Sequence, residues 1–254
     1  VKLPSRTTRA KRTMSAGEII TVKINLTKRP GGTSLSPGSR RRRVLGLTFH
    51  RSPPLKLSFA PRTRAVRARW LLEELEVPYE LVPLDPSKPT PEHLALNPLG
   101  EVPVLVAGDT VLFESLAICL YLADHFPEKR LAPPPGSAER GAYLQWMTFA
   151  EATLEPLLLA HDENLRRPEA LEVDLSRHQA RLETVLQTLD ARLAGREFIV
   201  GEAFSAADVV LASILHLAHR LGLLDRYPKL FEYTLRHAKR PATRRAVSGE
   251  PGAG

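Results

Sequence analysis

Between residues 55 and 84 the apolar spacing changes period twice, and that narrows the possible folds sharply. Leu55–Phe59 is a short apolar run with strand character. Pro61 breaks it. From Thr63 to about Glu76, Ala68, Leu71, Leu72 and Leu75 then fall at i, i+3, i+4 and i+7, the single stripe of an amphipathic helix. Arg69 and Glu73 stand one turn apart on another face, where they are expected to pair. Tyr79–Leu84 returns to strand character. Strand, helix and strand in close succession make a βαβ unit, whose strands run parallel through a right-handed crossover.

The pattern continues as a short helix or turn at Pro89–Leu96 and two further strands, Val102–Val106 and Thr110–Phe113. Only Ala107, Gly108 and Asp109 separate those strands, so they are expected to form an antiparallel hairpin. Residues 115–126 form a helix that is apolar nearly all round, which predicts burial on more than one side; Pro127 ends it. Residues 127–138 are a proline-rich linker, and beyond it no strand pattern appears. Helices are predicted at 139–165, 174–194, 205–222 and 228–247. Ser205-Ala-Ala-Asp208 has the form of a capping box, with Phe204 and Val209 at the two positions of a hydrophobic staple. The expected organisation is a basic, disordered extension over 1–54, a small α/β domain (βαβαββα) over 55–132, and an all-helical domain over 133–254.

Charge supports this division. The 254-residue chain carries a formal +8, which suggests nucleic acid as a partner. Residues 1–54, however, hold 13 Lys/Arg, including the run Arg40–Arg43, against the single acid Glu18. Residues 55–254 hold 23 Lys/Arg and 27 Asp/Glu, so a +12 segment precedes a −4 body. No nucleic-acid or membrane contact is expected of that body. For the segment three readings stay open: a disordered extension or upstream sequence read with the frame, a targeting segment rich in Arg, Ser and Thr, or a polybasic arm for anionic partners. No apolar stretch approaches the roughly 20 residues that span a bilayer. The one cysteine, Cys119, excludes an internal disulfide and reads as an inert core thiol. His216 and His219, at i and i+3, lack a third ligand by motif, so no metal is expected.

Five local motifs occur in order: Ala60-Pro-Arg-Thr-Arg-Ala-Val66, Trp70-Leu-Leu-Glu-Glu-Leu75, Asn97-Pro-Leu-Gly-Glu-Val-Pro-Val-Leu105, Phe113-Glu-Ser115 and Gly201-Glu-Ala-Phe-Ser-Ala-Ala-Asp208. With the element order, they make the chain from Leu55 onward resemble the cytosolic glutathione S-transferase family, in its bacterial type with a serine- or threonine-like active site. The resemblance implies a thioredoxin-like N-terminal domain followed by an all-α bundle. It also implies a cytoplasmic homodimer that serves detoxification by joining glutathione to a small electrophile, without a metal.

The resemblance assigns roles residue by residue. Pro103 stands where the family has a cis-proline, and the N–H and C=O of Val102 would pair with the cysteinyl backbone of glutathione like an added strand. Ser115 would hold the γ-glutamyl carboxylate at a helix N-terminus and Glu114 the ammonium; a plain helix cap is the alternative. Thr63 would donate its hydroxyl to the glutathione sulfur. The free thiol ionises near about pH 8.5, and a donor at the positive end of a helix stabilises the thiolate. An ordinary N-cap is the alternative reading of Thr63, with Ser58 as a weaker donor. Glu101 stands where many relatives carry a cation for the glycyl carboxylate, so Arg62 or Arg64 would supply that charge. Phe59, Pro61 and Trp146 are placed by position in the co-substrate pocket. The implied activity is thiolate formation and transfer to an apolar electrophile. Two alternatives stay open: a non-catalytic or regulatory glutathione-binding module, and a glutathione-dependent isomerase or dehalogenase.

Overall fold

The computed structural model describes residues 54–167 and 175–248. Apart from Pro54, the basic extension predicted over 1–54 lies outside the described residues. Strand β1 (Leu55–Phe59) alternates a buried Leu55, an exposed Lys56 and a buried Leu57, as a strand with one covered face should. Helix α1 (Ala65–Leu75) follows, its apolar stripe Ala68, Leu71, Leu72 and Leu75 wholly buried. Glu76 turns left-handed to close it, giving its N–H to Leu72. Strand β2 (Tyr79–Pro83) runs parallel to β1, with Leu57 opposite Leu81, as a βαβ unit requires. Helix α2 (Pro91–Leu96) opens at Thr90, whose hydroxyl accepts the His93 N–H.

Strand β3 (Val104–Ala107) is antiparallel to β1, and β4 (Thr110–Phe113) is antiparallel to β3, giving the sheet order β2-β1-β3-β4. The third strand starts two residues later than predicted because Pro103 has no N–H to give to a ladder. It also takes in Ala107, which leaves Gly108 and Asp109 as the turn, Gly108 at φ 60°.

Helix α3 (Ser115–His125) departs from expectation. One face, Ser115, Ile118, Cys119, Leu122 and Ala123, is buried. The other carries half-buried Leu116, Leu120 and Tyr121 with an exposed Ala117, so a single chain covers that side only in part. Pro127 begins a short 3-10 turn, Pro127–Lys129, immediately after it.

The remainder is helical among the described residues. The single helix predicted at 139–165 is instead α4 (Ala138–Phe149), a π-helical segment (Ala150–Leu154) and α5 (Glu155–Arg166). Pro156 explains the interruption: it offers no N–H, its ring crowds the carbonyl one turn back, and the backbone widens so that the Glu155 N–H reaches Ala150. Helix α6 (Leu175–Leu193) and α7 (Ala206–Arg220) follow. The predicted 228–247 helix is split into α8 (Pro228–Ala238) and α9 (Pro241–Val247), since Pro241 forces Arg240 into an extended ψ of 140°.

The capping box at α7 is formed: Asp208 Oδ2 accepts the Ser205 N–H at 2.9 Å. The same carboxylate does more than a cap, because Oδ1 also accepts the Ile199 N–H at 2.9 Å and the Tyr233 hydroxyl at 2.8 Å. Burial, the dominant effect on it, raises the Asp208 carboxyl above its ordinary range, against the pull of these donors.

Helices α1 and α3 pack on one another and both meet α7, so the α/β and helical parts share one apolar core. Helix α9 lies along α1, where Arg240 forks onto Glu74 at 2.6 and 2.8 Å and Arg245 reaches Glu73 at 2.6 Å. The expected Arg69–Glu73 pair is bridged rather than direct. Both residues are buried, and the Tyr79 hydroxyl stands between them, 3.2 Å from Arg69 Nε and 2.6 Å from Glu73 Oε1.

Candidate functional site

Strand register gathers the motif residues. Ser58 pairs with Val104, and Val104 with Phe113. The turn after β1, the approach to β3 and the residues after β4 therefore emerge at one end of the sheet. They carry Arg62 and Thr63, Val102 and Pro103, and Glu114 and Ser115.

The first of these segments is the turn Ala60–Arg64. Pro61 and Arg62 are exposed, with Arg62 at φ 61°. Half-buried Thr63 donates its hydroxyl to the Ala60 carbonyl at 2.7 Å and accepts the Ala65 N–H at 3.2 Å. The hydroxyl thus braces its own turn at the start of α1. To donate to a sulfur it has to release Ala60. Ser58 is buried within the sheet between Val82 and Val104.

The second segment is a braced loop. Asn97 is buried; its Nδ2 donates to the Glu101 carbonyl at 3.0 Å and its Oδ1 accepts the Leu99 N–H at 3.1 Å. His93 Nε2 lies 3.0 Å from the same carbonyl, and so carries the proton there. Gly100 has φ 69°, and a Cβ there would meet Pro89 Cγ at 2.9 Å, so the loop needs glycine on both counts. The Val102–Pro103 peptide is cis. Among the described residues, no backbone hydrogen bond engages the N–H or C=O of Val102. Glu101 itself is exposed.

The third segment is tied to the helical part. Glu114 is exposed at φ 73°, while Ser115 is buried at the first position of α3. Ser115 Oγ accepts from Arg67 Nη1 at 3.3 Å and donates to Glu151 Oε1 at 3.2 Å. Arg67 is 4% exposed and bonds Glu155 Oε1 through Nη2 at 2.6 Å; its Nη1 lies 3.4 Å from Glu151 Oε2. Arg64 Nε donates to Glu155 Oε2 at 3.1 Å. Two arginines of α1 and its turn therefore meet two acids from the π segment and α5 around Ser115. Burial raises the Glu151 carboxyl above its ordinary range, with the Arg67 charge opposing it. Arg64, expected to offer charge to a ligand, is turned onto Glu155. Arg67, Glu151 and Glu155 were not among the predicted site residues. Their local signal, arginines at i and i+3 and acids at i and i+4, is also that of an ordinary solvated face.

The residues placed in a co-substrate pocket lead to different surroundings. Phe59 is 4% exposed, with the Arg69 guanidinium 5.0 Å above its ring. Half-buried Trp146 meets Phe149 edge-on at 5.4 Å, with Arg192 at 5.5 Å. Only Pro61 is exposed. Cys119 is buried, and burial pushes its thiol up to about 12, so it is not a nucleophile at neutral pH. Among the described residues, no group of three or more His, Cys, Asp or Glu could hold a metal ion, and no helix is long and apolar enough to cross a membrane.

Comparison with known proteins yields a consistent set. Residues 53–124 match the glutathione S-transferase N-terminal domain model and residues 172–236 a glutathione S-transferase C-terminal domain model. Glutathione S-transferase GstA of Escherichia coli O157:H7 is 30% identical over 202 residues, covering 77% of this chain and 98% of the relative. The disulfide-bond oxidoreductase YfcG of Escherichia coli K12 is 30% identical over 205 residues, covering 76% and 94%. A sphingomonad glutathione S-transferase solved with glutathione superposes with a TM-score of 0.68 at 30% identity, covering 78% of this chain and all of that one.

Proposed function

Since the chain belongs to the glutathione S-transferase family, we propose that it is a glutathione transferase whose thiolate forms beside Thr63. The observation that carries this reading is the register that brings Thr63, Val102 and Ser115 to one end of the sheet. There, the unengaged Val102 peptide groups suit an extended cysteinyl backbone. The start of α3, with Glu114 and Ser115, suits an α-amino-acid end. Both neighbours of Thr63 are exposed arginines; with Arg64 bonded to Glu155, Arg62 is the one assigned to the glycyl carboxylate. The thiolate sulfur attacks the electrophilic carbon, a carbon–sulfur bond forms, the leaving group departs with its electron pair, and the thiol proton passes to solvent. Proximity and thiolate stabilisation are the sources of rate.

Residues 55–132 would bind glutathione and residues 133–254 the apolar co-substrate. The half-buried Leu116, Leu120 and Tyr121 on α3 and the exposed Leu144 on α4 favour a homodimer, which gel filtration tests. The cytoplasm, where glutathione is kept reduced, is the compartment in which detoxification by this chemistry would proceed. The assay is conjugation of glutathione to chlorodinitrobenzene together with glutathione affinity by calorimetry. Absence of glutathione binding overturns the proposal. A second reading, a binding module with little turnover, is favoured by the Thr63 hydroxyl being committed to Ala60; binding without conjugation of any electrophile would establish it.

A further inference from the structure

One buried carboxylate of the helical part holds both arginines that bracket the start of α1. Glu155 is 6% exposed. Its Oε1 takes Arg67 Nη2 at 2.6 Å, and its Oε2 takes Arg64 Nε at 3.1 Å and Arg67 Nη1 at 3.5 Å. Arg64 directly follows Thr63, and Arg67 lies one turn further on. Thr63 is held by bonds within its own turn, to Ala60 and Ala65. The side-chain link from that turn to the helical part is Arg64.

We propose that Glu155 is a positioning residue for Thr63, acting through Arg64 and Arg67. This rests on Thr63 as the hydroxyl donor to the glutathione sulfur. Charged hydrogen bonds are strong where water is excluded, and the fork onto Arg67 fixes the carboxylate in direction as well as distance. With Arg67 anchored in the core, the second oxygen of Glu155 has one orientation, and it fixes Arg64 there. The backbone of residue 63 is thereby set against the helix that carries the co-substrate side. Glu155 reaches this place because the widened π turn ends at it: its N–H closes back to Ala150, and Glu151 at the other end of that turn meets Arg67 and Ser115. The charged groups facing Glu155 are therefore Arg64 and Arg67, with Glu151 beyond them.

The experiment uses the full chain and follows the ultraviolet absorbance of the bound glutathione thiolate against pH, with kcat and KM for chlorodinitrobenzene conjugation. In Glu155→Gln the thiolate midpoint is expected to rise by about one pH unit and kcat below neutral pH to fall about tenfold, with the glutathione KM changed less than about threefold. Glu155→Asp is expected to recover part of both. Arg64→Gln, at a half-exposed residue whose loss leaves Glu155 paired with Arg67, should move the midpoint in the same direction and serves if Glu155→Gln does not fold. A midpoint raised in Thr63→Ala but unmoved in Arg64→Gln and Glu155→Gln overturns the positioning role alone. A midpoint unmoved in Thr63→Ala overturns the reading of Thr63 and the positioning role with it.

Discussion

Ser115 Oγ donates to Glu151 Oε1 across 3.2 Å, joining the first residue of α3 to the π-helical segment of the helical part. The bond places a half-buried carboxylate directly behind the hydroxyl proposed to receive the γ-glutamyl carboxylate, with Arg67 beside both. Two carboxylates can share that place only because the arginine lies with them. Removal of the hydroxyl in Ser115→Ala is expected to weaken glutathione binding about tenfold by calorimetry. It should also lower stability by about 1–2 kcal/mol in denaturant melts, because Glu151 and Arg67 each lose a buried partner.

Thr63→Ser keeps the hydroxyl and removes only the branch, so it should retain kcat within a few-fold. Thr63→Ala removes the donor and should lower kcat about 100-fold with chlorodinitrobenzene, the scale of losing one donor to a developing or resident anion. Equal activity in both variants contradicts a donor role for Thr63.

Asp208 is expected to matter more than its cap. In Asp208→Ala the Ser205 and Ile199 N–H groups and the Tyr233 hydroxyl all lose their acceptor inside the core. The expected loss is about 3–5 kcal/mol, against about 1 kcal/mol for Ser205→Ala, which removes only a cap. Urea melts of the two variants measure the ratio.

His237 gives the fold an acid limit. It is 1% exposed, packed against Tyr233 at 4.3 Å between ring centroids and Phe204 at 5.5 Å. Burial, with Arg240 and Arg236 nearby, lowers its pKa to about 3. The unfolded chain, near the ordinary histidine value of about 6.5, binds a proton that the folded chain refuses. His237 therefore contributes stability that is fully present above about pH 6.5 and is lost as pH falls toward about 3. His237→Phe should flatten the fall in melting temperature across that range; an unchanged slope contradicts the assignment.

Much of the framework is legible from local spacing. The period-two and period-3.6 runs of residues 55–84 dictate a parallel βαβ unit, and Ser205 with Asp208 marks the start of α7. The prolines act on the backbone rather than on the apolar pattern. Pro156 widened a helix that periodicity had continued, Pro241 split another, and Pro103 delayed β3. Helix α3 was expected to be covered on more than one side because its composition is apolar all round. A single chain covers one face fully and the other, with Leu116, Leu120 and Tyr121, only in part.

The sequence by itself determined the order of elements and the motif residues at the sheet's end, since those depend on neighbours within a turn or a strand. Only the tertiary structure decided that Arg64, Arg67, Ser115, Glu151 and Glu155 form one cluster. Arg67 and Glu155 are 88 positions apart, and nothing in the local period of either helix distinguishes them from charges facing water. Their pairing arises because packing the helical part onto α1 removes the water that would otherwise solvate each charge, so that each must find its partner in the other part.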